Sequence, residues 1–266
     1  MEQKIKENIE TKDAIIIKEN NDSPKMWDSK AGGKPYLLEE DDYPVSLETG
    51  EIFEFLIQIN CRDLPENQLF PQKGLLQFFI NHDYNYDEDD LPFVIKYIEN
   101  IVIDENRIDY DLEDDYEMDE QAELDEASES LLIDEEEIKL DFILEKDYIN
   151  PTTSEWLIFK EKINDKFNIC FDDLSEDNQF VEDLDIVLNN EDVLDIKYAS
   201  KLLGYPANHD TDIRLSNEKY QDYILLLQLS CDSDFFANED EINICWFIHP
   251  DDLVNLKFDK AICSYF

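Results

Sequence analysis

The chain has 266 residues, with 68 Asp or Glu against 22 Lys or Arg, and a formal net charge of −46. That balance excludes ordinary nucleic-acid binding, which needs clustered Lys and Arg to displace counterions from phosphates, and it excludes attraction to an anionic membrane surface. It does not exclude a folded core, because Leu, Ile, Val and Phe make up about 30% of the residues, above the ~20% of disordered chains.

Residues 1–25 are polar and read as a loose arm or a short first helix. The apolar run Ala14-Ile15-Ile16-Ile17 is too short for a secretory signal, and Tyr223 to Leu227 is too short to span a bilayer. Gly32-Gly33, Pro35, Pro44 and Gly50 mark residues 26–50 as an ordered loop region. Three runs rich in Ile and aromatics then read as strands, at 53–60, 74–80 and 92–98.

Residues 104–137 differ from their surroundings. They hold 18 Asp or Glu and one basic residue, Arg107. The bland reading is a solvated insertion; the functional one is an electrostatic bait for a basic partner. Alternation resumes at 138–144 as a strand, and Trp156, Phe159 and Ile163 predict a helix over 154–166. Phe180, Leu184, Val187 and Leu188 recur at i, i+4, i+7 and i+8, which predicts a helix over 176–196. Lys201 to Pro206 reads as a turn, and 223–229, 242–248 and 261–266 as three closing strands. Pro250 can open a helical turn, with His249 as an unusual cap.

Two blocks look alike. Leu56-Ile57-Gln58-Ile59-Asn60-Cys61 followed by 74–80 matches Leu226-Leu227-Gln228-Leu229-Ser230-Cys231 followed by 242–248. Either two amphipathic hairpins share a composition by chance, or a strand–connection–strand unit is duplicated around one core. Gln58 and Gln228 would then be buried and need partners, which a pseudo-symmetric pair can supply.

These pieces, with Ser29 to Tyr36, Phe70 to Ile80, Lys201 to Pro206 and Trp246-Phe247-Ile248, run in an order and spacing that resembles the YwqG-like family, a bacterial family of unknown function. Departures from its pattern are Ser200, at a position typically His, and Asn243-Ile244-Cys245, where glycines are usual. The resemblance implies an α+β fold with a largely antiparallel sheet, in one domain over 26–266, and no established chemistry. Some members look like immunity proteins encoded beside secreted polymorphic toxins.

Catalytic and metal signals are weak. His82, His209 and His249 each lie near an Asp, but in so acidic a chain that proximity is expected by chance. His82 to Asp90 opens like a calcium loop, yet Glu88 stands where the turn needs Gly and Val94 where the last ligand should be Glu. Asp232-Ser233-Asp234 fails sooner, at Phe236. No GxSxG occurs, and Gly32-Gly33 lacks phosphate-loop spacing. Five Cys, at 61, 170, 231, 245 and 263, include no CxxC, so reduced and buried thiols in a cytoplasmic protein are expected.

The expectation is therefore a non-enzymatic, cofactor-free and metal-free protein that binds a basic partner, such as a cationic toxin, with oligomeric state left open. Asp114, Asp115, Glu117, Asp119 and Glu120 represent the expected contact. The alternative is a small-ligand binder or enzyme with a cleft between the repeat halves, lined by residues such as Gln58, Gln228, His249 or Trp246.

Overall fold

A computed structural model describes residues 9–38, 43–46, 52–81, 92–108, 137–168, 170–173, 179–207, 212–231 and 243–265, with residues 50, 233 and 236. Among these described residues, ten strands form one sheet. They are β1 (Thr11–Asn20), β2 (Lys30–Ala31), β3 (Glu54–Asn60), β4 (Leu75–Ile80), β5 (Phe93–Ile98), β6 (Ile138–Tyr148), β7 (Lys201–Leu203), β8 (Ile224–Leu229), β9 (Ile244–Ile248) and β10 (Ile262–Tyr265). Helices are α1 (Glu155–Phe167), α2 (Gln179–Leu188), α3 (Glu191–Lys197), α4 (Ile213–Ser216) and α5 (Pro250–Val254). The fold is α+β, with every strand pairing antiparallel.

The strand order is β10-β9-β8-β7-β1-β6-β2-β3-β4-β5. The centre is the β1–β6 ladder, paired from Thr11↔Tyr148 to Asn20↔Lys139. This corrects the reading of the N-terminal stretch as an arm or helix, because residues 11–20 are the middle of the sheet. Ala14, Ile15, Ile16 and Ile17 are at most 5% exposed, so this strand is covered on both faces. A strand covered on both faces gives a continuous apolar run rather than alternation.

The sheet curls so that its two flanks face each other. Phe78 on β4 and Trp246 on β9 meet at 5.4 Å between ring centroids, and Tyr97 on β5 packs 5.7 Å from Phe258. Between them lies the main core, which also takes Ile15, Ile17 and Leu140 from the central ladder. The opposite face near Tyr148 is covered by helices, where Trp156, Phe159 and Ile163 of α1 meet Phe180, Leu184 and Val187 of α2. The spacing of the last three predicted this buried stripe. The single helix expected over 176–196 is instead two, because Asn190 accepts a hydrogen bond from Asp192 N and starts α3 as its N-cap.

The flanks share one bonding scheme. Gln58 sits opposite Lys30, and Gln228 opposite Lys201. Gln58 Nε2 donates to Met26 O and Asp28 O, while its Oε1 accepts from Tyr36 N at 2.9 Å. Gln228 Nε2 donates to Lys197 O and Ala199 O, and its Oε1 accepts from Ala207 N at 2.8 Å. Asn60 N donates to Ser29 Oγ, and Ser230 N to Ser200 Oγ. The register slips at Phe55/Ile57 and at Leu225/Leu227, the corresponding places. The two glutamines do not partner each other as expected; each ties the loop before its short neighbouring strand to its own flank.

Candidate functional site

Two buried lysines fasten the flanks to the centre. Lys30 Nζ donates to Glu137 Oε1 at 2.6 Å, and Lys34 N reaches the same oxygen at 3.3 Å. Lys201 Nζ donates to Asp147 Oδ2 at 2.8 Å, and Tyr205 N to the same oxygen at 2.7 Å. In each case the glycine three residues after the lysine lets the backbone approach: Gly33 at φ 64° and Gly204 at φ 77°. A Cβ on Gly204 would lie 2.4 Å from Asp147 Oδ2. Burial pulls both lysine pKa values below the usual value, even with the carboxylates beside them. The turn expected at Lys201 to Pro206 is thus a three-residue strand, β7, followed by this glycine contact.

A groove of about 800 Å³ opens beside the second lysine. Its floor is Ile15 of β1, Leu144 of β6, Leu203 of β7 and Ile224 of β8, and Leu69 forms one wall with Glu66 and Gln68 above it. Leu203 holds φ 62°, an uncommon conformation for a bulky side chain. Leu144 is 48% exposed although it lies on a central strand. The 66–70 wall is braced by Asn67, whose Nδ2 donates to Pro65 O and whose Oδ1 accepts from Leu69 N and Phe70 N.

The rim carries charge. Lys12 is ion-paired to Glu155 and lies 4.5 Å over the Tyr205 ring. Arg214, 1% exposed, grips both oxygens of Glu155 at 3.0 Å and also bonds Asp212. Its guanidinium lies 5.3 Å over the Phe247 ring. Burial opposes the charge on Glu155, but Arg214 and Lys12 outweigh it and hold the carboxyl down at about 2. This is a rigid charged support under one end of the groove, with Lys12 already neutralised.

A sequence profile for a domain of unknown function (DUF1963) matches residues 29–265. The chain belongs to this family. No curated protein matches the chain. In this DUF1963 domain the central strand β1 precedes the matched stretch but completes the groove floor.

The residues singled out from sequence divide into three groups. Asp114, Asp115, Glu117, Asp119 and Glu120, with His82, His209 and most of the calcium-like loops (all but residues 92–94, Ser233 and Phe236), lie outside the described residues. Gln58, Gln228 and Trp246 are fully buried and do not line the groove; Phe78 and Trp246 pack against each other where the flanks meet, while the groove takes Glu66 to Leu69 from one half and Leu203, Gly204 and Ile224 from the other. His249 caps α5, its Nδ1 accepting from Asp251 N at 3.2 Å, and stacks edge-on to Tyr223. Among the described residues no cluster of His, Cys, Asp or Glu is arranged to hold a metal ion, and no helix is long and apolar enough to cross a membrane.

All five cysteines are thiols, but Cys170 is exposed, contrary to the expectation of buried thiols. Burial pushes the Cys61 thiol up to about 12 and raises that of Cys245, which removes their nucleophilic form. The groove itself was missed because β1, the 66–69 wall, β6, β7 and β8 each contribute one or a few residues to it. The only local signal was Ile15 within an otherwise polar N-terminal stretch.

Proposed function

We propose that this DUF1963 protein is a non-enzymatic binding protein whose partner is a basic protein. The observation that carries the reading is the net charge of −46. Residues 104–137 hold 18 acidic residues and one basic, a net −17, so the remaining −29 is spread over the rest of the chain. A field of that sign accelerates encounter with a cationic partner and repels anionic ligands. Within the family, the YwqG-like resemblance supports a finer assignment: an immunity protein that occupies the phosphate-binding Lys and Arg of a secreted toxin, acting in the cytoplasm. Asp114, Asp115, Glu117, Asp119 and Glu120 are the proposed electrostatic contact.

Co-expression with the product of the neighbouring gene tests this directly. Growth restored by the protein supports the reading; growth arrest unaffected by it sinks the immunity assignment. The matched bonds of the two flanks also support an origin by duplication. A profile built from residues 26–98 of relatives should then detect 197–265, and failure to do so counts against it.

One observation favours a second reading, a small-ligand binder or enzyme: the groove lies within the ~300–1,000 Å³ usual for ligand pockets.

A further inference from the structure

We propose that the groove over Leu144, Leu203 and Ile224 docks a linear basic segment of the protein partner, an aliphatic side chain on the floor and a Lys or Arg against Glu66. The proposal rests on the reading of the protein as a binder of a basic protein, and names where the specific part of that contact is made. Long-range charge gives steering but little specificity; specificity needs a desolvated anchor.

Three features make the groove such an anchor site. Its floor is formed before any partner arrives. Leu144 stands 48% exposed in the middle of a sheet whose neighbouring Ile15 is fully buried. The wall is fixed as well, since Asn67 satisfies the turn from Pro65 to Phe70, and Gln72 Nε2 donates to Asn67 O and Phe70 O. A preformed groove spares the ordering cost that weakens association.

Charge selects the occupant. Lys12 is ion-paired to Glu155, so it brings no uncompensated positive charge to the groove, and Asp13 meets Lys146 only in a solvent-exposed pair. Glu66 is exposed and has no ion-pair partner among the described residues. The groove therefore offers one unneutralised carboxylate above an aliphatic floor, inside the field of a chain with net charge −46. A segment that alternates Lys or Arg with Leu, Ile or Val complements both. An acidic segment or an anionic lipid is repelled by the rim and by the field together.

The test uses the full chain, labelled at its Leu and Ile methyls, and synthetic peptides. Lys-Lys-Leu-Leu-Lys-Lys is expected to move the resonances of Leu144, Leu203 and Ile224 and to bind at least about tenfold more tightly than Lys-Lys-Ser-Ser-Lys-Lys. Leu144→Lys, at a half-exposed position, should weaken the aliphatic peptide by about tenfold or more, while Ile186→Lys, at an exposed position on α2, which contributes no residue to the groove, leaves it unchanged. Equal binding of both basic peptides without movement of those methyls overturns the groove and leaves the basic-partner reading standing. No binding of either basic peptide at low salt overturns both. Movement of the same methyls by decylamine, with none by the aliphatic peptide, makes the groove a small-ligand site and overturns the proposal.

Discussion

The two flanks solve one problem with different surroundings. Lys30 and Lys201 are both fully buried, both lie opposite a glutamine, and both reach a carboxylate past a glycine. On the first flank that carboxylate is Glu137, whose side chain is 33% exposed. On the second it is Asp147, at 1%, with its Oδ1 lacking a hydrogen-bond partner among the described residues. Only the second lies beside the groove. The difference teaches that a matched hydrogen-bond scheme does not fix its energetic weight; the route from each carboxylate to water does.

The comparison is broken most severely by removing a lysine. Lys201→Met leaves Asp147 buried without its cation and should cost about 3–5 kcal/mol in denaturant unfolding. Lys30→Met should cost roughly 1–2 kcal/mol, because Glu137 can turn to solvent. Equal losses would show that exposure of the carboxylate is not what separates the flanks.

The second flank carries a further charged set, Arg214 with Asp212 and Glu155. Glu155 has its carboxyl pulled from the ordinary 4.5 down to about 2. A depressed carboxyl pKa stabilises the folded state fully above the unfolded value, and that contribution is lost as pH falls toward the folded one. Stability lost between pH 4.5 and about 2 should therefore shrink in Glu155→Gln relative to the parent, on the order of 2–3 kcal/mol over that window. Taking the difference between the two proteins removes the opposing effect of neutralising the other carboxylates, which relieves self-repulsion. Parallel pH profiles would mean that Arg214 and Lys12 do not hold the Glu155 charge.

Glycine substitutions sharpen the contrast at smaller scale. Gly204→Ala puts a Cβ 2.4 Å from Asp147 Oδ2 and 2.9 Å from Ala14 Cβ, both held in the core. Gly33→Ala meets Glu137 Cγ at 2.0 Å, on a side chain that is 33% exposed and can move outward only by giving up its bond to Lys30. Thermal unfolding should show a loss of about 3 kcal/mol for Gly204→Ala, where neither neighbour can give way, and about 2 kcal/mol for Gly33→Ala, where the positive-φ cost adds to a weakened Lys30–Glu137 pair. The serines give the control. Ser29→Ala and Ser200→Ala each strand one backbone N–H, of Asn60 or Ser230. Both should cost about 1 kcal/mol in the same assay, Ser29→Ala somewhat more because its Oγ also donates to Asp63 Oδ2 at 2.7 Å. A larger loss for Ser200→Ala than for Ser29→Ala would mean that the two schemes differ in more than their carboxylates.

Strands were legible where apolar density was local. Phe55 to Ile59, Leu75 to Ile80 and Leu225 to Leu229 stand out as runs, and the structure places each inside a flank. β1 was not, because its four-residue apolar run lies between Lys12-Asp13 and Lys18-Glu19, and only its middle is covered on both faces. β7 has three residues before its glycine and reads as a turn until β1 supplies the Ile15↔Leu202 and Ile16↔Lys201 pairs. Burial of Gln58 and Gln228 followed from their setting in apolar strands, but their partners are carbonyls of loops and of the end of α3 that no pattern marks. The groove is a tertiary product, so its residues carry no shared spacing. The acidic contact proposed for 104–137, by contrast, is read from composition alone.

The central claim is recognition of a basic protein through charge, and the salt dependence of that binding tests it most directly. Affinity for the product of the neighbouring gene should be measured by titration calorimetry at rising ionic strength, for the parent and for a variant with the carboxylates of 109–136 changed to amides. The account predicts that parental affinity falls by about tenfold or more between roughly 50 and 300 mM salt, and that the amide variant binds more weakly with a shallower slope. Tight binding that ignores salt, with parent and variant alike, would contradict it.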